Sequence, residues 1–143
     1  MRSLLACVTL LLASGAQAAD GTYEVSSVPV TAAVGIPTKV GVTIRAKGGW
    51  HLNHDAPLTL KLTPSAGVRI DKPHMSRADL ASSSDSAARF DVRLVLANPG
   101  KKTIEGETRF VLCQKEACRP IKEKLTLNAE ATAPAKAAKK RKK

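Results

Sequence analysis

Two cysteines, Cys113 and Cys118, stand in the stretch FVLCQKEACRP, with runs of alternating apolar residues on both sides. Sulfur chemistry has three uses for such a pair: a structural disulfide, a disulfide that exchanges with a partner's thiol, or metal ligation. If the flanking runs are antiparallel neighbours, the cysteines face each other across the ladder at about 5.5 Å between Cα atoms, a separation a disulfide accepts. Closing so short a loop constrains the unfolded chain little, and the chain-entropy relation gives about 2 kcal/mol. That is a modest gain for a staple, and it leaves exchange open. Exchange requires a thiolate that attacks, or an exposed sulfur that can be attacked. Lys115 and Arg119 flank the pair and favour a thiolate, Glu116 opposes them, and Pro120 fixes the chain just after Cys118. Spacing alone places the structural disulfide first, the exchange-active pair second and metal ligation well behind.

A second set of chemistry-bearing residues lies in GGWHLNHDAP, where His51 and His54 are three apart and Asp55 follows. With His74 and Met75 they make up the donor set of a copper carrier. The neighbouring glycines and Pro57 favour an extended turn, in which that spacing is weak as a ligand pattern, and exposed or hydrogen-bonded loop histidines are the preferred reading. Trp50, the single tryptophan, suits either a docking surface or a core plug between sheets, with the core preferred. No serine-nucleophile motif, carboxylate pair, Gly-rich phosphate loop or zinc-knuckle spacing is present. Hydrolase and nucleotide-dependent functions therefore have no positive support, and no cofactor is expected.

The elements that must position these residues read as strands. In TKVGVTIRA, Val40, Val42 and Ile44 alternate with Gly41, Thr43 and Arg45, as in a strand with one face on a core. PLTLKL continues the pattern through Leu58, Leu60 and Leu62, and GVRI through Val68 and Ile70. ARFDVRLVLA sets Phe90, Val92, Leu94 and Leu96 against Arg89, Asp91 and Arg93. After the turn residues Asn98, Pro99 and Gly100, alternation resumes through Ile104, Thr108, Phe110 and Leu112, and the last strand carries Ile121, Leu125 and Leu127. Tyr23 and Val25 begin a first strand interrupted near Pro29 and Pro37, which suits strand ends or an edge. A helical turn is expected near Ser76 to Leu80 and an exposed loop over residues 82–86. Some seven short strands without a long helical period predict an all-β, immunoglobulin-like antiparallel β-sandwich.

The ends of the chain differ from this body. Residues 1–18 carry Arg2, an apolar run and the small-x-small ending Ala16-Gln17-Ala18, the pattern of a secretory signal peptide cleaved after Ala18. Cys7 lies inside it, too close to the start for a lipoprotein box. The run is short for a bilayer span, and no later segment approaches the roughly 20 apolar residues a spanning helix needs. The expected organisation is a signal peptide over 1–18, one domain over 19–129 and a disordered basic tail over 130–143, in the periplasm. The formal net charge is +11, and the tail holds Lys136, Lys139, Lys140, Arg141, Lys142 and Lys143 against Glu130. Behind an export signal such a tail points either to anionic envelope surfaces rather than nucleic acid, or to a solubilising role with no specific partner.

FVLCQKEACRP followed by IKEKLTL resembles the active hairpin of the amino-terminal periplasmic domain of the thiol:disulfide interchange protein DsbD. GGWHLNHDAPLTLKL resembles the glycine, aromatic and histidine segment near the second strand of that group, so the likeness spans roughly residues 40–127. It implies an immunoglobulin-like domain that relays electrons by mixed-disulfide exchange with a thioredoxin-like envelope oxidoreductase. It implies Cys118 as the exchanging sulfur and Cys113 as the resolving partner. The loop between the cysteines is one residue shorter than in the best-known members. The sequence contains neither their membrane electron channel nor their thioredoxin-like domain, so the resemblance implies reduction by a separate protein.

Overall fold

The computed structural model describes residues 16–17 and 21–134. Its strands are β1 (Ala16–Gln17), β2 (Tyr23–Ser27), β3 (Val30–Ala33), β4 (Thr38–Ala46), β5 (His51–Leu52) and β6 (Thr59–Thr63). They continue as β7 (Val68–Ile70), β8 (His74–Ser76), β9 (Leu80–Ser83), β10 (Ala87–Leu96), β11 (Gly100–Cys113) and β12 (Cys118–Thr132). One sheet runs β1-β2-β4-β10-β7, with β9 also on β10, and the other runs β3-β12-β11-β6-β8, with β5 also on β11. Every pairing is antiparallel except that of β3 with β12. The domain is an all-β, two-sheet sandwich of immunoglobulin-like outline, as the alternation predicts.

The period of two puts one set of side chains between the sheets. On β4 and β10, Val40, Val42, Ile44, Phe90, Val92 and Leu94 are all buried, while Arg45, Arg89 and Arg93 face outward. Leu60, Leu62, Ile104, Phe110, Leu112 and Leu127 fill the facing side. Thr108 is the one buried polar side chain among the described residues. Its hydroxyl donates to the Thr59 carbonyl at 2.9 Å, so the core holds a satisfied polar group rather than an orphan.

Irregularities lie at a sheet switch, a short 3-10 turn and an exposed strand. The chain leaves the first sheet after β2, passes through Val28 and Pro29 and joins the second sheet as β3, so the predicted interruption is a sheet switch. The turn expected near Ser76 is a 3-10 turn, Arg77–Asp79. Asp79 Oδ2 accepts the Ser76 backbone N–H at 2.8 Å, and Lys72 Nζ donates to Asp79 Oδ1 at 2.6 Å. The loop expected over 82–86 is in part strand, because β9 extends to Ser83 before the chain turns into β10. Its residues are mostly exposed and show no alternation, so backbone pairing with β10 defines this strand. β12 likewise continues past residue 129 to Thr132, with Ala131 buried.

The longest feature is the β11–β12 hairpin, in register from Gly100 opposite Ala131 to Cys113 opposite Cys118. It carries the cysteines to the end of the sandwich. Among the described residues no helix is long and apolar enough to cross a membrane. The signal-peptide expectation, apart from the backbone of β1, and the basic tail beyond residue 134 lie outside the described residues.

Candidate functional site

Cys113 and Cys118 are joined by a disulfide with an S–S distance of 2.01 Å. At the hairpin tip the Gln114 N–H donates to the Ala117 carbonyl at 2.8 Å. The cysteines follow as the next pair of the ladder, with Cα atoms 4.0 Å apart, closer than the separation expected from the sequence. Strand pairs alternate between wide hydrogen-bonded and narrow non-hydrogen-bonded positions, and the cysteines occupy a narrow one.

The two sulfurs belong to residues in unequal surroundings. Cys113 is 6% exposed, whereas Cys118 is an exposed residue. Strand pairing explains the difference. Cys113 ends β11, which has β12 on one side and β5 on the other, with His51 opposite Cys113 and Leu52 opposite Leu112. Cys118 begins β12, whose second edge, among the described residues, gains a strand only where β3 pairs with Ala129 to Thr132. One cysteine is interior to its sheet and the other lies on its rim.

The loop between β5 and β6 completes the cover over Cys113. Asn53 Nδ2 donates to Cys113 Sγ at 3.5 Å. Asn53 Oδ1 accepts the backbone N–H groups of Asp55 at 2.9 Å and Ala56 at 3.2 Å, the Asx-turn arrangement that asparagine makes readily. The Asn53 N–H donates to the Val111 carbonyl at 2.9 Å, which ties this loop to β11. Arg77 clamps it from the 3-10 turn, with Nη2 on the carbonyls of Asn53 at 2.7 Å and Ala56 at 2.8 Å.

Arg119 is placed otherwise than its position beside Cys118 suggests. It is opposite Leu112 in the ladder and so faces the inside of the sandwich, while Cys118 faces the other way. Its guanidinium lies 5.2 Å from the centroid of Trp50, and Nη2 donates to Thr22 Oγ1 at 2.6 Å. Trp50 is half-buried at the edge of the core under this cation, rather than a plug between the sheets. Beside them Tyr23 packs edge-on against Phe110, with centroids 5.3 Å apart, and its hydroxyl donates to Glu123 at 2.6 Å. These contacts hold the hairpin end of β12 to the opposite sheet.

The histidines and methionine do not assemble. Met75 is a core residue opposite Leu60, while His74 beside it is exposed. His51 is exposed on β5, and His54 Nε2 is 2.8 Å from Asp85 Oδ1. Among the described residues no group of three or more His, Cys, Asp or Glu side chains is placed to hold a metal ion. The four side chains do not form one donor set: strand alternation sends Met75 inward and its neighbour outward.

Next to the cystine is a groove of about 440 Å³, lined by Pro57, Val111 and Pro120 together with Arg109 and Lys122. Val111 and Pro120 are a cross-strand pair two ladder positions from the cysteines and share their face of the sheet. Glu107 lies beyond it. The Arg109 side chain, bonded to this carboxylate at 2.8 Å, and Lys122 at 3.2 Å hold its carboxyl below the usual glutamate range.

No family model matches the chain, and no curated protein matches it. Among solved structures, the major subunit AggA of aggregative adherence fimbriae type I from Escherichia coli is 12% identical, with 77% of this chain and 95% of that chain covered and a TM-score of 0.40. WR4, an MSP family member of C. elegans, is 8% identical over 76% of this chain and 97% of that one, with a TM-score of 0.41. The PapD-like domain 7 of human CEP192 is 14% identical over 92% of this chain and 99% of that one, with a TM-score of 0.39. At these values the likenesses identify no family.

The cysteine pairing and the strands that carry it were legible in the sequence. Asn53 and Arg77 were not among the expected site residues. The available signal was Asn53 two residues before Asp55 and four before Pro57, a turn-forming order that marks an asparagine with an engaged carbonyl oxygen.

Proposed function

We propose that this domain performs thiol:disulfide exchange outside the cytoplasm, relaying electrons between the Cys113–Cys118 pair and a thioredoxin-like envelope oxidoreductase. The observation that carries the reading is the asymmetry of the cystine, with Cys118 exposed on an open strand edge and Cys113 covered. A nucleophilic thiolate needs access to one sulfur along the line of the S–S bond, and the other sulfur departs. Access here favours Cys118. The resemblance of FVLCQKEACRP to the interchange-protein hairpin and the export-type amino terminus agree with this reading. A redox titration of the domain against a glutathione buffer tests it. An exchange-active pair equilibrates near the range of thioredoxin-like proteins, about −270 to −120 mV, whereas a potential below roughly −300 mV with no exchange overturns the reading.

A second reading is a non-enzymatic envelope binding module in which the disulfide is a clasp. Its support is position, because the cystine closes the last register pair of the long β11–β12 ladder. In that case the basic residues after position 134 supply adhesion to anionic surfaces. Loss of retention on acidic vesicles at low salt after deletion of the tail supports that form; unchanged retention contradicts it.

A further inference from the structure

We infer that Asn53 is the hydrogen-bond donor that stabilises Cys113 as a thiolate leaving group, so that attack at Cys118 opens the disulfide in one direction. The inference rests on the exchange reading and assigns a residue to it.

The orientation of the Asn53 amide is fixed by its turn. Asn53 Oδ1 already accepts two backbone N–H groups, from Asp55 at 2.9 Å and Ala56 at 3.2 Å. A reversed amide would place its NH2 against both donors, so the NH2 end faces the sulfur. The remaining polar groups of the residue are engaged too, its N–H with Val111 and its carbonyl with Arg77. Asn53 Nδ2 is thus held at 3.5 Å from Cys113 Sγ by backbone and loop contacts formed independently of the sulfur. Such a donor needs no reorganisation when charge develops.

The chemistry gives that donor a task. The thiolate of a thioredoxin-like dithiol attacks Cys118 Sγ, a new S–S bond forms to Cys118, and the Cys113–Cys118 bond breaks. The bonding pair leaves with Cys113 Sγ as a thiolate. The partner's second thiolate then attacks the partner sulfur of the mixed disulfide, and Cys118 is released as a thiolate. The dithiol is oxidised to a disulfide, two electrons pass to the domain, and solvent protonates the cysteines. In the first step negative charge develops on a residue that is only 6% exposed. Burial alone raises a thiol's pKa and makes it a poorer leaving group. A neutral disulfide sulfur accepts a hydrogen bond weakly and a thiolate accepts it strongly, so the Asn53 contact favours the transition state over the ground state. Arg119 does not fill this role, since its guanidinium is on the opposite face over Trp50.

Asn53→Asp separates donor from turn. It retains acceptor oxygens for the Asp55 and Ala56 N–H groups but presents a carboxylate to the sulfur; Asn53→Ala removes both functions. Two readouts are compared: the rate of mixed-disulfide formation between the oxidised domain and reduced glutathione, and the pH dependence of Cys113 alkylation in a Cys118→Ser background. The expected result is that both substitutions slow glutathione attack by roughly tenfold or more, with the aspartate at least as slow as the alanine. The Cys113 alkylation profile shifts upward by about one pH unit or more. An aspartate variant that matches wild type in both readouts overturns the inference and leaves Asn53 as a turn residue. A wild-type cystine inert to glutathione and to thioredoxin-like dithiols refutes the exchange reading instead, while the alkylation profile still decides whether Asn53 stabilises the Cys113 thiolate.

Discussion

A relay must remain folded in both redox states, and the structure predicts how much reduction costs. The bond links residues five apart, so it closes a loop of only six residues. The chain-entropy relation for that length gives about 2 kcal/mol. What reduction leaves behind is substantial: the β11–β12 ladder from Gly100 to Leu112 persists, and Leu112, Phe110, Ile104 and Leu127 remain in the core. A domain of this size has a stability of about 5–15 kcal/mol. Reduction is therefore expected to lower stability without unfolding the domain. Urea titrations of the oxidised and phosphine-reduced protein, followed by far-ultraviolet circular dichroism and Trp50 fluorescence, measure the difference. The expected shift of the midpoint is about 1–2 M at a nearly unchanged slope. Loss of the cooperative transition on reduction, or a cost above about 5 kcal/mol, would show instead that the cystine is a clasp on which the fold depends.

Three further substitutions probe the scaffold. Thr108→Val removes the donor to the Thr59 carbonyl and should cost about 1 kcal/mol in urea unfolding; an equal or greater stability than wild type would show that this hydrogen bond contributes nothing net. A Cβ at Gly106 would meet Leu62 Cδ2 at 3.0 Å and Leu125 Cδ2 at 3.3 Å, so Gly106→Val is expected to destabilise by about 1–3 kcal/mol; an unchanged midpoint would show that these leucines move freely. Lys72 and the Ser76 N–H hold the Asp79 carboxyl below the usual aspartate range. The folded state thus binds fewer protons there than the unfolded state, and this contribution is present above the unfolded pKa and lost as pH falls through the lowered one. Asp79→Asn should flatten the loss of stability in the acid range; an unchanged profile contradicts it.

The sandwich was legible because its strands bury one face. Wherever alternation is strict, as from Val40 to Ile44 and from Phe90 to Leu96, the side chains lie as the period requires. β9 was hidden because Leu80 to Ser83 have no buried face, so the pairing that makes them a strand leaves no apolar signature. The fate of Trp50 and Arg119 depended on which faces of the hairpin and of the β4–β5 turn look at each other across the sheets, which a local period does not encode. The same limit applies to Asn53. Its turn chemistry is local, but its amide meets Cys113 only because β5 pairs with the end of β11, a contact across sixty residues.

In the exchange reading Cys118 is the sulfur a partner attacks, and a trapping experiment decides the point. The oxidised domain is mixed with a thioredoxin-like protein that retains its attacking cysteine but lacks its resolving cysteine, and the resulting adduct is digested and mapped by mass spectrometry. The expected product is a mixed disulfide between the partner and Cys118, with Cys113 recovered as a free thiol. An adduct on Cys113 would reverse the assignment that the burial of the two residues supports. The absence of any adduct under conditions in which glutathione also fails to open the cystine would contradict the exchange account and leave a binding domain closed by a structural disulfide.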